Sequence, residues 1–197
     1  MRNLFINGLI AAGMFFISSA ASAEEDASAP VRDLIATCAA CHGEKGASTQ
    51  GQYPILAGQE EYYLYVQLRD FNSGLRADPV MGPVAAALTK EQMQLLAKYF
   101  SSQPWPETSY TVTDAQAKAA RLVITAGECV ACHLGSFKGN SRIPRLAGQH
   151  PEYLAKTMLD FKARKRMNAP DIAALISTFE EEELKALAAY LAAYKGQ

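Results

Sequence analysis

The chain has 197 residues, 49% hydrophobic and 20% charged, a balance that supports packed cores and excludes a disordered or fibrous chain. A formal net charge of −1 offers no electrostatic footprint for nucleic acid or for a charged membrane surface. The charge is unevenly spread, because residues 24–107 hold 6 Lys and Arg against 11 Asp and Glu while residues 108–197 hold 12 against 9, a polarity that can orient encounter with a partner.

Residues 1–23 read as a secretory signal, with Arg2 at the charged start, an apolar run from Leu4 to Ile17 and Ala21-Ser22-Ala23 as a small-residue cleavage site. The apolar run falls short of the ~20 residues that span a bilayer, so cleavage is expected and no transmembrane anchor in the mature chain. A first helix is predicted from Val31 to Cys41, with Val31, Leu34, Ile35 and Cys38 at helical spacing. It leads into Cys38-Ala39-Ala40-Cys41-His42 and then a Gly- and Ser-rich loop, 43–52. A middle helix follows from Glu60 to Phe71, then a loop holding Met81 between Pro79 and Pro83, then a last helix capped by Thr89.

Residues 102–113 contain Pro104 and Pro106 among turn-forming residues and read as a linker, whose Trp105 and Tyr110 are expected to pack against the flanking domains. Beyond it one helix is predicted from Asp114 to Ala131, carrying Cys129-Val130-Ala131-Cys132-His133, and 134–142 is again loop. A middle helix from Pro151 to Ala163 begins on a proline, whose missing donor costs nothing there. The last helix is expected to start at Thr178, with Glu180-Glu181-Glu182-Glu183 in its first turn, where the helix dipole favours negative charge. His150, ahead of the second middle helix, reads as an exposed residue.

The two halves are copies. Pro54-Ile55-Leu56-Ala57-Gly58-Gln59 matches Pro144-Arg145-Leu146-Ala147-Gly148-Gln149, Asp70-Phe71 matches Asp160-Phe161, Arg76 matches Arg166, and Leu96-Ala97-Lys98-Tyr99 matches Leu187-Ala188-Ala189-Tyr190. Internal duplication with helical patterning gives an all-α chain of two tandem domains, 24–103 and 114–197, joined by a linker at 104–113.

The Cys-x-x-Cys-His pentapeptides use every cysteine and two of the three histidines. Two thiols three residues apart on a helix can each form a thioether with a haem vinyl group, and the next residue then turns its imidazole to the iron. Cys38, Cys41, Cys129 and Cys132 are thus attachment points for two covalent haem c groups, with His42 and His133 as proximal iron ligands. A zinc site of two Cys-x-x-Cys knuckles closes over a shorter loop and needs no histidine after each pair. A thioredoxin-like pair needs a strand-helix-strand context, and a disulfide within each pair is strained. Covalent haem attachment in bacteria requires export, so the motifs and the signal agree on a periplasmic protein.

A haem that only carries electrons usually has a second strong axial ligand, most often a methionine sulfur. Met93 and Met158 lie inside helices and read as core filling. Met81 is the candidate for the first iron. In the second copy Asp171 or Ile172 stands opposite Met81, so Met167, five residues before Ile172, is the expected substitute, with a second iron lacking that ligand as the alternative. The carbonyls of Pro54 and Pro144 can accept the remaining imidazole proton of His42 and His133 and fix the rings.

The paired motifs, the Leu-Ala-Gly-Gln repeats with their upstream prolines, the Tyr-Leu middle helices and Tyr99-Phe100-Ser101-Ser102-Gln103 together resemble the dihaem cytochrome c4 family over essentially all of the mature chain. The resemblance implies two cytochrome c domains with haem edges near their interface, Met81 as distal ligand of the first haem, and a methionine near Ile172 that this chain lacks. It further implies one-electron transfer between periplasmic or membrane-bound redox proteins, such as a terminal oxidase or a dehydrogenase, with no catalytic residues of the chain's own. Two other readings compete: a haem subunit of a larger dehydrogenase of the flavocytochrome kind, and a haem enzyme or ligand sensor with an open second iron.

Overall fold

The computed structural model describes residues 29–195, so the segment read as a signal lies outside the described residues. The first half holds α1 (Arg32–His42), α2 (Glu61–Asn72), α3 (Met81–Ala86) and α4 (Lys90–Ser101). The second holds α5 (Asp114–Ala126), α6 (Cys129–His133), α7 (Pro151–Lys162), α8 (Pro170–Ile176) and α9 (Glu181–Ala193). Among the described residues there is no strand beyond two isolated bridges, one of which pairs Arg76 with Arg166. The protein is all-α, with a separate core in each half.

In the first core Val31, Leu64, Met93, Leu96 and Phe100 are buried together, α2 lying across α3 and α4. In the second, Val123, Leu154, Met158, Phe161, Leu184 and Leu191 are buried together, α9 lying across α5 and α7. Met93 and Met158 are thus core residues, as their helical setting predicts. Residues 102–113 run between the halves without helix, and Trp105 sits in the space left by two glycines. A Cβ added to Gly58 would lie 3.0 Å from the Trp105 backbone nitrogen, and one added to Gly148 would lie 3.0 Å from its indole nitrogen. The Arg145 guanidinium covers the indole face at 4.1 Å.

Three elements differ from expectation. The single helix predicted over Asp114–Ala131 is broken: α5 stops at Ala126, Glu128 takes left-handed backbone angles (φ 48°), and α6 restarts as a short piece. Gly127 ends the helix because it is a poor helix former, and Phe179 of the core packs close against it. The second change is the start of the last helix. Thr89 caps α4 in a reciprocal box with Gln92, as predicted, but α9 is capped by Glu180 in a box with Glu183, not by Thr178. Thr178 instead donates to the Leu175 carbonyl at 2.7 Å, since the buried Phe179 holds this corner ahead of the helix. The third is Met81, which opens α3 where a loop was expected; Asp78 Oδ1 accepts from the N–H groups of Val80 and Met81, both at 2.9 Å.

The halves meet through the residues that repeat. Gln59 donates to the Arg145 carbonyl (2.9 Å) and accepts from the Arg145 N–H (2.7 Å), while Gln149 donates to the Ile55 carbonyl (3.0 Å) and accepts from the Ile55 N–H (2.9 Å). Beside them Arg76 reaches the Tyr153 hydroxyl at 3.1 Å and Arg166 reaches the Tyr63 hydroxyl at 3.4 Å, with the Gln67 oxygen shared between both guanidiniums. Asn168 adds bonds to Asp70 and Gln67. The glutamine pair and the arginine-to-tyrosine pair each have a near mirror at the equivalent position, the geometry of two like surfaces related by a two-fold axis, whereas the Gln67 and Asn168 bonds do not.

The assignment of the second cap is open to direct measurement. Glu180→Ala should lower unfolding stability by about 1 kcal/mol, the usual cost of losing a cap, whereas Thr178→Ala should cost clearly less in the same urea titration. Equal losses would restore Thr178 as the cap.

Candidate haem-binding sites

The last turns of α1 carry Cys38, Cys41 and His42, and the chain then leaves through Gly43, whose φ of 75° and N–H bond to the Ala39 carbonyl at 3.0 Å end the helix. A Cβ at Gly43 would stand 2.8 Å from the Ala47 carbonyl oxygen, so only glycine permits this exit. His42 is 6% exposed, and its Nδ1 lies 2.9 Å from the Pro54 carbonyl. A carbonyl can only accept, so Nδ1 carries the proton and Nε2 keeps the lone pair that a metal ion needs. Burial pushes the imidazolium pKa down, partly opposed by the Pro54 bond, and the ring stays neutral.

The second site repeats this. His133 Nδ1 lies 3.1 Å from the Pro144 carbonyl, and burial again lowers its pKa. None of the four cysteines is paired in a disulfide, and burial raises the thiol pKa of Cys38 and of Cys129. Around each motif the core leaves an unfinished apolar edge. Ile35, Leu56 and Leu68 are only half covered in the first half, as are Leu146, Leu159 and Ile172 in the second. Val130 within the second motif and Leu134 directly after it are 45% and 41% exposed. Each site thus combines two thiols on one helix face, an imidazole with a free Nε2, and an apolar margin wanting a flat apolar group. That set fits a covalently held haem.

Cys38, Cys41 and His42 stand together at the end of α1, and Cys129, Cys132 and His133 together on α6, as predicted. Met81 is half-buried at the N-terminus of α3, which packs on α2. Met167 is 48% exposed, between Arg166 and Asn168, whose side chains are both tied to the first half. Of the two residues opposite Met81 in the repeat, Asp171 and Ile172, Ile172 packs against the second core.

His150 is a correction. Far from exposed, it is 3% accessible, with Nε2 3.0 Å from the Ser48 carbonyl of the other half and Nδ1 against the Tyr110 hydroxyl of the linker. It ties three segments together, and both of its ring nitrogens are engaged in doing so. The signal sequence reasoning missed was Tyr110, which supplies the hydroxyl that makes burial of the ring affordable. Arg76 and Arg166 were also missed as site residues. Among the described residues neither has a carboxylate partner, and each guanidinium lies over a phenylalanine ring of its own half, Phe71 or Phe161, at 4.4 Å. Burial opposes ionisation of Tyr153, but the charges of these two arginines outweigh it and pull the phenol down to about 7.

The chain resembles known proteins along most of its length. The cytochrome c family model matches residues 28–104. A thiosulfate dehydrogenase electron acceptor of Stutzerimonas stutzeri (strain A1501) is 34% identical over 79% of this chain and 77% of that protein. A cytochrome c4 of Stutzerimonas stutzeri is 30% identical over 97% of this chain and 98% of that protein. The crystal structure of reduced recombinant cytochrome c4 from Pseudomonas stutzeri superposes with a TM-score of 0.75 at 30% identity, covering 82% of this chain and 95% of that one.

Burial holds the His150 pKa below its ordinary value, although the Ser48 carbonyl and Glu152 oppose this. The folded ring therefore stays neutral where the unfolded ring, with a pKa near ~6.5, takes up a proton. Stability should fall as pH drops below about 6.5, and His150→Gln should flatten that fall. Urea midpoints at neutral and mildly acid pH check this; an unchanged slope in the variant would acquit His150.

Proposed function

Because the chain belongs to the dihaem cytochrome c4 family and carries two covalent haem c groups as a single-electron carrier, we propose that it acts in the periplasm, after removal of residues 1–23, between partner redox proteins and performs no catalysis of its own. The proposed domains are 24–103 and 114–197, joined by 104–113. Cys38 and Cys41 hold the first haem and Cys129 and Cys132 the second, with His42 and His133 as proximal ligands. The observation that carries this reading is the duplicate geometry of the two imidazoles, each with Nδ1 committed to a proline carbonyl and Nε2 free.

A haem supplies a one-electron couple whose potential the protein adjusts through its axial ligands, its hydrogen bonds and its burial. The residues of this chain bind and orient it. The Pro54 and Pro144 carbonyls hold the rings against rotation and make them better donors. Arg166, buried, and Arg76, half-buried, have no carboxylate partner among the described residues and would supply positive charge to haem propionates. Among the described residues no helix is long and apolar enough to cross a membrane.

Met81 is the proposed sulfur ligand of the first iron, supported by its place at the start of α3 beside α2. Met167 is the proposed donor to the second. A specific observation favours the competing reading of an open second iron: Met167 sits between two residues bound across the interface, so its approach would disturb Arg166 or Asn168. For the electron source, the 34% identity to a thiosulfate dehydrogenase electron acceptor supports a dehydrogenase of that kind as donor.

Exported holoprotein should show the mass of two haems, and Cys38→Ala with Cys41→Ala should remove one; a colourless product ends the reading. Met81→Ala should lower one potential by on the order of 0.2 V, within the ~0.8 V span that haem proteins reach through their ligands and surroundings. Carbon monoxide binding by half the haem in the reduced wild-type protein would decide for the open second iron over Met167.

A further inference from the structure

A peptide unit joins the carbonyl of one residue to the N–H of the next in one conjugated plane. The Pro54 carbonyl that accepts from His42 and the Ile55 N–H that donates to Gln149 are therefore two ends of a single group. The chain of contacts runs from His42 Nδ1 to the Pro54 oxygen at 2.9 Å, and from the Ile55 nitrogen to Gln149 Oε1 at 2.9 Å. The mirror relay runs from His133 Nδ1 to the Pro144 oxygen at 3.1 Å, and from the Arg145 nitrogen to Gln59 Oε1 at 2.7 Å. Both relays cross the interface between the halves.

The glutamine amides are held in one orientation. Gln149 Nε2 donates to the Ile55 carbonyl at 3.0 Å and Gln59 Nε2 to the Arg145 carbonyl at 2.9 Å, so in each case the oxygen must face the N–H. Each oxygen also accepts from the N–H of the following residue, His150 or Glu60. Gln149 is 2% exposed and Gln59 5%, so water does not compete for these atoms.

We propose that Gln59 and Gln149 are crossed positioning residues, each orienting and polarising the peptide group that holds the proximal histidine of the other half, so that each half helps set its neighbour's haem potential. This rests on His42 and His133 being the proximal ligands. When a peptide N–H is accepted by an oxygen, electron density moves toward the carbonyl at its far end, and hydrogen bonds in such a chain strengthen one another. A stronger carbonyl acceptor draws the Nδ1 proton, raises the basicity of the ligating nitrogen and favours the oxidised iron. The glutamine oxygen therefore lowers the potential of the haem across the interface.

The test uses holoprotein, with each haem titrated through the NMR signal of its own proximal imidazole N–H. Gln149→Met keeps the side-chain length and removes the acceptor, and it should shift the His42 haem to higher potential while leaving the His133 haem in place. Gln59→Met should do the reverse. Gln149→Glu keeps an acceptor oxygen with added charge and should move the His42 haem below the wild-type potential. If Gln149→Met fails to fold, the fall expected in Gln149→Glu carries the test alone. A shift shared by both haems, a shift confined to the residue's own half, or no shift overturns the proposal. Retention of an unchanged first haem after His42→Ala would instead overturn the ligand assignment beneath it.

Discussion

The hydrogen bond from an imidazole Nδ1 to a proline carbonyl is the constraint on which this protein turns. It fixes which nitrogen of His42 and His133 bears the proton and how each ring stands relative to the helix that carries the thiols. Proline suits the position because it has no N–H of its own, and its fixed φ limits the ways its carbonyl can point. The neutral state of each ring follows from the same burial that excludes water from this bond.

Duplication extends that local constraint into an architecture. The Leu-Ala-Gly-Gln turn places a glutamine just beyond a glycine of positive φ, Gly58 or Gly148, and sends its amide across to the other half. The peptide that orients one ring is thereby part of the surface that joins the halves. Holding the interface and holding the two imidazoles are one task in this chain. The arginines serve the same union, since Arg76 and Arg166 lie between the halves with aromatic rings and hydroxyls as partners.

The halves have nonetheless diverged where their chemistry can. The first Cys-x-x-Cys-His motif ends a continuous helix, whereas the second stands on a separate turn after Gly127 and Glu128. The first offers Met81 at the start of α3, and the second offers Ile172, turned to its core. The interface network shares this imbalance, because Gln67 gathers three donors from both halves and has no counterpart in Thr157. Two haems in such unlike surroundings have no reason to share a potential.

The paired Cys-x-x-Cys-His motifs, the helical class, the duplication and the proline acceptors were legible in the chain itself because each depends on short-range covalent geometry or on a repeat visible by alignment. The break before Cys129 was not, since it needs Phe179, distant in sequence, to occupy the space beside Gly127. Nor was the burial of His150, whose two partners lie in the linker and in the opposite half. The role of the repeated glutamines was hidden for the same reason: a side-chain amide has no meaning until its partner peptide is brought within about 3 Å, a distance set by the packing of one half on the other.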